Sequence, residues 1–115
     1  VVHKREKSAR HWVTFYPKVD MKNLQMTYIA AVSDEELRDE DLGPDFVRGS
    51  IENGKALEIS HEGAYDFLGN GWSMGMMYLR VKKMKQRDIP FEQYWNSPHE
   101  VEPHELKTSI YFPLK

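Results

Sequence analysis

Two stretches of this chain repeat one pattern: an aromatic and β-branched run, a proline, a short polar loop, a leucine, and a second run of the same kind. In the first copy Trp12-Val13-Thr14-Phe15-Tyr16 meets Pro17, and Leu24 opens Gln25-Met26-Thr27-Tyr28-Ile29. In the second, Phe91-Glu92-Gln93-Tyr94-Trp95 leads through Asn96-Ser97 to Pro98, and Leu106 opens Lys107-Thr108-Ser109-Ile110-Tyr111. Side chains of these types suit a pleated, half-buried surface, so each run reads as a strand. An internal duplication of this kind commits the chain to a sheet built from two related strand sets. The expected strands are 12–16 and 25–32, with Pro17 ending the first before a polar loop at 18–23, and 91–95 and 106–114 around a polar loop at 99–105.

Between the copies, 33–45 is acidic and contains Gly43-Pro44, which marks a loop with a short helical turn at 34–38. Strands are expected at 46–51 and 56–61, joined as a hairpin, because Asn53-Gly54 supplies the positive φ that a tight turn needs. From 64 to 86 the apolar spacing becomes helical, with Phe67, Met74, Tyr78 and Val81 on one stripe and Leu68, Trp72, Met76 and Leu79 beside it. Gly69, Gly71 and Gly75 each weaken a helix interior by about 1 kcal/mol relative to Ala. They mark either a close backbone approach or a late start near Asn70, and one long helix at about 70–86 is expected. Arg80, Lys82, Lys83, Lys85 and Arg87 gather at its end, where cations meet the carbonyl end of a helix dipole.

Composition narrows the function classes. With 115 residues, 40% hydrophobic and 30% charged, the chain has material for one core. Its net charge of −2 provides no basic field for a nucleic-acid backbone, so direct nucleic-acid binding by this chain is not expected. Cysteine is absent, which removes disulfides, thiolate metal sites and a cysteine nucleophile, and points to a cytoplasmic location. Apolar runs such as 28–32 fall far short of the ~20 residues of a membrane span, so no membrane is expected. His99-Glu100 and His104-Glu105 share a loop but match no zinc spacing, so no metal is expected. His61, at a strand-to-helix junction, reads as a capping or packing residue. Without a dinucleotide fingerprint, a phosphate loop or a Gly-x-Ser-x-Gly elbow, neither a cofactor nor serine hydrolysis is expected. The polar stretch 1–11 reads as a linker or truncated segment, and 12–115 as the domain.

The second copy, Pro90-Phe91-Glu92-Gln93-Tyr94-Trp95-Asn96-Ser97-Pro98 through Pro103-His104-Glu105-Leu106-Lys107-Thr108-Ser109-Ile110-Tyr111-Phe112-Pro113-Leu114, resembles the closing segment of GyrI-like effector-binding domains. That segment reads Phe-Glu-x-Tyr, Asn-x-Pro, Pro-x-Glu-Leu and Thr-x-Ile-Tyr-x-Pro-Leu. Upstream, Gly54-Lys55-Ala56 and Ser60-His61-Glu62-Gly63-Ala64-Tyr65 are similar to the family's strand that runs through His-x-Gly-x-Tyr into a helix. The resemblance implies an α+β fold, an antiparallel sheet from duplicated β-α-β-β repeats whose helices enclose a cleft for hydrophobic, often cationic, small molecules. Eleven residues precede Trp12, and a three-turn helix alone takes about eleven. The first helix is therefore expected to be missing or truncated, leaving an open groove or one covered by a second copy in a homodimer.

Glu92 and Tyr94 are two apart on a strand and share a face, while Phe91, Gln93 and Trp95 take the other. On the residues alone Glu92 is a surface glutamate, since carboxylates are seldom buried. The resemblance turns it into the cleft, where a carboxylate among aromatic rings attracts a lipophilic cation by charge and by cation–π contact. Trp72, Met76, Tyr28, Tyr111 and Phe15 are the expected walls, although Trp72 and Met76 at helical spacing also suit an ordinary core. The expected function is binding or sensing of hydrophobic small molecules, cations among them, in the manner of multidrug binders. The chain would act alone or as the effector domain of a transcription regulator. Two rivals use the same residues: a hydrolase of electrophilic small molecules with Glu92 as general base and Tyr94 or Tyr111 assisting, and a gyrase-inhibitor-like protein-interaction module. A lone carboxylate without a second committed acid or base is a thin catalytic set, which favours binding.

Overall fold

The computed structural model describes residues 11–20, 23, 25–33, 50 and 54–115. The aromatic and β-branched runs form strands β1 (His11–Asp20), β2 (Gln25–Ser33), β3 (Ala56–Glu62), β4 (Phe91–Tyr94) and β5 (Lys107–Pro113). They make one sheet in the order β2-β1-β4-β5-β3, antiparallel at every pairing. The leading strands of the two copies, β1 and β4, lie side by side at its centre, so the two strand pairs run outward from a shared middle. The helix α1 (Leu68–Val81) follows a single 3-10 turn at Tyr65–Phe67. Among the described residues the fold is α+β, with a complete β-α-β-β unit from β3 to β5 beside the β1–β2 pair. The expected strand at 46–51 apart from Ser50, the turn up to Asn53, and the acidic loop with its helical turn at 34–38 lie outside the described residues.

Pro17 does not end β1. The strand continues to Asp20, and its register against β2 shifts between Phe15 and Lys18. A proline lacks the N–H a regular ladder needs, and an irregularity is where a strand tolerates one. The polar loop expected at 18–23 is correspondingly shorter.

The helix also differs from expectation, beginning at Leu68 and ending at Val81. Met84 N–H donates to Leu79 O (2.9 Å) and Lys83 N–H to Arg80 O (3.2 Å), with Lys83 at φ 54°. This is a Schellman stop, which ordinarily carries glycine at the left-handed position. With lysine there, no stop signal is visible in the sequence, and Met84 continues the apolar spacing beyond the true end. Of the basic cluster only Arg80 lies in the last turn; Lys82, Lys83, Lys85 and Arg87 follow it.

The buried side of α1 is Leu68, Gly71, Gly75 and Leu79. Leu68 and Leu79 form the core with Ile110 and Phe112, against which Leu57, Ile59, Tyr65, Trp72 and Leu114 pack. Gly71 and Gly75 let the helix backbone approach β5. A Cβ at Gly71 would stand 3.0 Å from Ile110 Cδ1, and one at Gly75 would stand 2.4 Å from Phe112 Cε2. Close approach is thus the reason for these two glycines, whereas a Cβ at Gly69 would meet nothing within 4 Å. Gly75→Ala should destabilise the domain by about 2 kcal/mol, because overpacking against the buried Phe112 ring outweighs the gain in helix propensity. Gly69→Ala should stabilise it by roughly 0.5–1 kcal/mol. Urea denaturation of both variants beside the wild type reads the contrast.

Candidate functional site

Residues opposite one another on neighbouring strands share a face. On the face that carries α1, register lines up Ala30, Thr14, Glu92, Ile110 and Ile59 across all five strands. Glu92 therefore stands in the middle of this row, on the central strand β4, and it is 4% exposed. Alternation along β1 and β4 places Tyr16 and Tyr94 on that face beside it. Tyr16 Oη donates to Glu92 Oε1 (3.1 Å), Tyr94 Oη donates to the same oxygen (2.6 Å), and Trp72 Nε1 of α1 donates to Oε2. Tyr94 Oη is also 2.8 Å from Thr14 Oγ1. A phenol has one proton, so with that proton on Glu92 the Thr14 hydroxyl acts as donor to Tyr94. The rings interlock: Tyr16 meets Trp72 edge-on at 5.2 Å between centroids, Trp72 meets Phe112 at 5.3 Å, and Tyr65 leans on Tyr94 at 5.6 Å.

Burying a carboxylate costs several kcal/mol, and hydrogen bonds to a charged group return about 1.5–3 kcal/mol each. Three such bonds roughly offset the cost. The cage therefore fixes where a charge sits without adding much stability. All three donors are neutral, so they orient the charge without cancelling it. Burial and then the Glu92 charge push the Tyr16 phenol up to about 12. Burial likewise raises Tyr94, reinforced by its hydrogen bond to Glu92, and raises Tyr65, reinforced by the Glu92 charge. All three phenols remain protonated at neutral pH, Tyr16 and Tyr94 as donors to Glu92.

The residues expected at the site divide. Glu92, Tyr94 and Trp72 come together. Tyr28 shares the same face by alternation with Ala30 but stands 65% exposed on the outer strand β2, and Met76 is exposed on α1. Phe15 and Tyr111 lie on the opposite face, where register lines up Ile29, Phe15, Phe91, Tyr111 and Glu58. There Phe91 contacts Phe15 and stacks on Tyr111, both at 5.1 Å between ring centroids. Tyr111 Oη donates to Glu58 Oε2 (3.3 Å). Tyr16, Thr14 and Tyr65 were not singled out from sequence. The 12-14-16 alternation carried a usable signal for Tyr16, but only the β1–β4 register turns it toward Glu92. His61 Nε2 lies 3.0 Å from Ala64 O and braces the turn into the helix.

A shallow groove of about 440 Å³ on the opposite face is lined in part by Glu58, Ser60, Glu62, Trp95, Lys107 and Ser109. Its buried Ser109 hydroxyl is already engaged, since Trp95 Nε1 donates to Ser109 Oγ (2.8 Å) and Ser109 Oγ donates to Glu58 Oε2 (2.6 Å). Concavity alone favours that groove. The chemistry favours the Glu92 face, where a buried charge and several rings converge. On this face α1 covers β3 and β5, while Trp12, Tyr28 and Val32 of the β1–β2 half are 64%, 65% and 41% exposed, so among the described residues the β1–β2 half forms an open shelf beside the helix.

Among the described residues the antiparallel sheet with the helix α1 packed on it is the α+β fold implied by the sequence resemblance, and the GyrI-like small molecule binding domain family matches residues 12–115. The chain belongs to that family. Solved structures that share the fold include two of EcmrR. The cryo-EM structure of an EcmrR–DNA complex in EcmrR-RPo has a TM-score of 0.66 at 22% identity, covering 92% of this chain and 39% of that one. The crystal structure of the EcmrR C-terminal domain has a TM-score of 0.62 at 23% identity, covering 92% of this chain and 66% of that one. This GyrI-like domain thus spans well under half the length of the first of these chains. Among its described residues no helix is long and apolar enough to cross a membrane.

The raised Tyr16 pKa carries a stability consequence. Between pH 10, where the unfolded chain releases the phenol proton, and about 12, where the folded chain does, rising pH favours unfolding. Below that window both states hold the proton and the contribution is complete. Urea midpoints should therefore fall from pH 10 upward, and less steeply in Tyr16→Phe. Ultraviolet titration of Glu92→Gln should show phenolate forming at lower pH than in the wild type.

Proposed function

We propose that this small-molecule-binding domain takes up hydrophobic cations on the Glu92 face and serves as the ligand-sensing part of a cytoplasmic regulator. The supporting observation is the cage itself. A buried carboxylate, held by an indole N–H and two phenols, faces an open shelf bordered by Tyr16, Tyr65, Trp72 and Tyr94. A carboxylate has room for about four hydrogen bonds, so three donors leave it one free lone-pair direction and its full charge. A cation entering over the rings gains charge attraction and cation–π contact. Its apolar part would lie against the exposed Trp12, Tyr28 and Val32.

The regulatory part of the proposal draws on the two solved structures, one of a C-terminal domain and the other of an assembly with DNA. Binding is preferred over hydrolysis because both oxygens of Glu92 already accept hydrogen bonds from neighbouring donors, which suits holding a charge better than abstracting a proton. Isothermal titration with a lipophilic quaternary ammonium ion and its neutral carbon isostere tests the reading. The wild type should bind the cation at least about tenfold more tightly. Glu92→Gln, checked for retained fold by circular dichroism, should abolish that preference. Equal binding of the two ligands by the wild type, or a preference that survives the substitution, rules the reading out.

A further inference from the structure

We propose that β2 is a pairing edge, along which two copies of the domain join strand to strand, antiparallel, about a two-fold axis at Ile29. The internal duplication calls for a strand at this place. Matched as repeats, β1 corresponds to β4 and β2 to β5, and the order β2-β1-β4-β5-β3 sets the two pairs symmetrically about the β1–β4 junction. On the far side of β5 lies β3, antiparallel to it from Ala56 opposite Pro113 to Glu62 opposite Lys107. On the far side of β2 no strand lies among the described residues. Alternate residues of β2 turn their N–H and C=O groups outward there, and such a row is a template for a further strand.

The two edges of the sheet meet solvent differently. On β3 the exposed positions include Glu58 and Glu62, and charged side chains are a common guard against unwanted edge pairing. The nine residues of β2 include no charge, proline or glycine, while Met26, Tyr28, Ile29 and Val32 are 57%, 65%, 51% and 41% exposed. Self-complementarity selects a second copy as the occupant. Ile29 is the midpoint of Gln25–Ser33, so an axis there pairs the strand over its whole length. It sets Tyr28 opposite the partner's Ala30, Met26 opposite the partner's Val32 and Thr27 opposite the partner's Ala31. Each bulkier side chain meets a smaller one and no like charges are brought together, as stabilising cross-strand pairs require. Pairing over the full strand supplies roughly eight to ten main-chain hydrogen bonds, close to the ~10 of an ordinary protein interface. The axis stands perpendicular to the sheet, so two five-stranded sheets become one of ten with both Glu92 residues on the same face. Five strand spacings of ~4.8 Å put the two carboxylates about 24 Å apart, well beyond a Debye length of ~8 Å at physiological salt. Closed two-fold dimers are the commonest assembly, and this one leaves no β2 edge open.

Sedimentation velocity of the full 115-residue chain, from low micromolar to near-millimolar concentration, should show a reversible monomer–dimer equilibrium. Ile29→Lys, at an exposed position on the face opposite Glu92, sets two lysines against each other on the axis. It should weaken the dimer at least about tenfold while leaving the circular dichroism spectrum unchanged. The chain has no cysteine, which allows the register to be read by cross-linking. Two Ile29→Cys chains bring their Cβ atoms within ~5 Å of each other and should form a disulfide on mild oxidation. Two Thr27→Cys chains hold theirs about 14 Å apart and should not, since a disulfide spans at most ~7 Å between Cα atoms. A wild type that stays monomeric at every concentration overturns the proposal. So does a dimer indifferent to Ile29→Lys, or one in which Thr27→Cys cross-links as fast as Ile29→Cys.

Discussion

The backbone of α1 at Gly71 and Gly75 lies directly against the Ile110 and Phe112 side chains of β5, and much of the described structure depends on that distance. Any larger residue at Gly75 would push the helix off the sheet. The residue between these glycines that matters most is Trp72, whose indole reaches across to Glu92 only because the helix sits so low. Trp72 also touches Phe112 below and Tyr16 beside it. One contact therefore closes the core and completes the site, and loosening it would disturb both.

The two faces of the sheet use similar residues for different ends. On one, Phe15, Phe91 and Tyr111 pack against each other across three strands, a cross-strand ladder of the kind that stabilises a sheet. On the other, Tyr16, Tyr94 and Trp72 turn their polar atoms inward to one carboxylate. That second arrangement roughly breaks even energetically, because the desolvation of Glu92 consumes what its hydrogen bonds return. Its product is a charge of fixed position beside exposed apolar surface. The phenols that hold it are themselves kept protonated by burial and by the charge they serve.

Much of this was legible in the linear chain. The duplicated strand runs, the helical stretch and the shared face of Glu92 and Tyr94 follow from side-chain periodicity, which is local. Phe15, expected beside Glu92, lies on the opposite face while its neighbour Tyr16 bonds Glu92, because a one-residue step along a strand changes the face. What decides it is the pairing of Thr14 with Glu92 across β1 and β4, strands separated by most of the chain. The helix end at Val81 was invisible because Lys83 occupies the left-handed position where glycine is the usual sign. Pro17 looked like a strand end, since a proline at a bulge and one in a loop read alike.

By itself the sequence determined which segments extend and which coil, and that a carboxylate and a phenol lie side by side on one strand, because alternation and helical spacing act over a few residues. Only the tertiary structure decided that Glu92 is buried, that Tyr16 and Trp72 are its other partners, and that Phe15 and Tyr111 belong to the opposite face. Register between distant strands and the height of a helix above a sheet are set by packing of the whole core. No local stretch of residues carries that information.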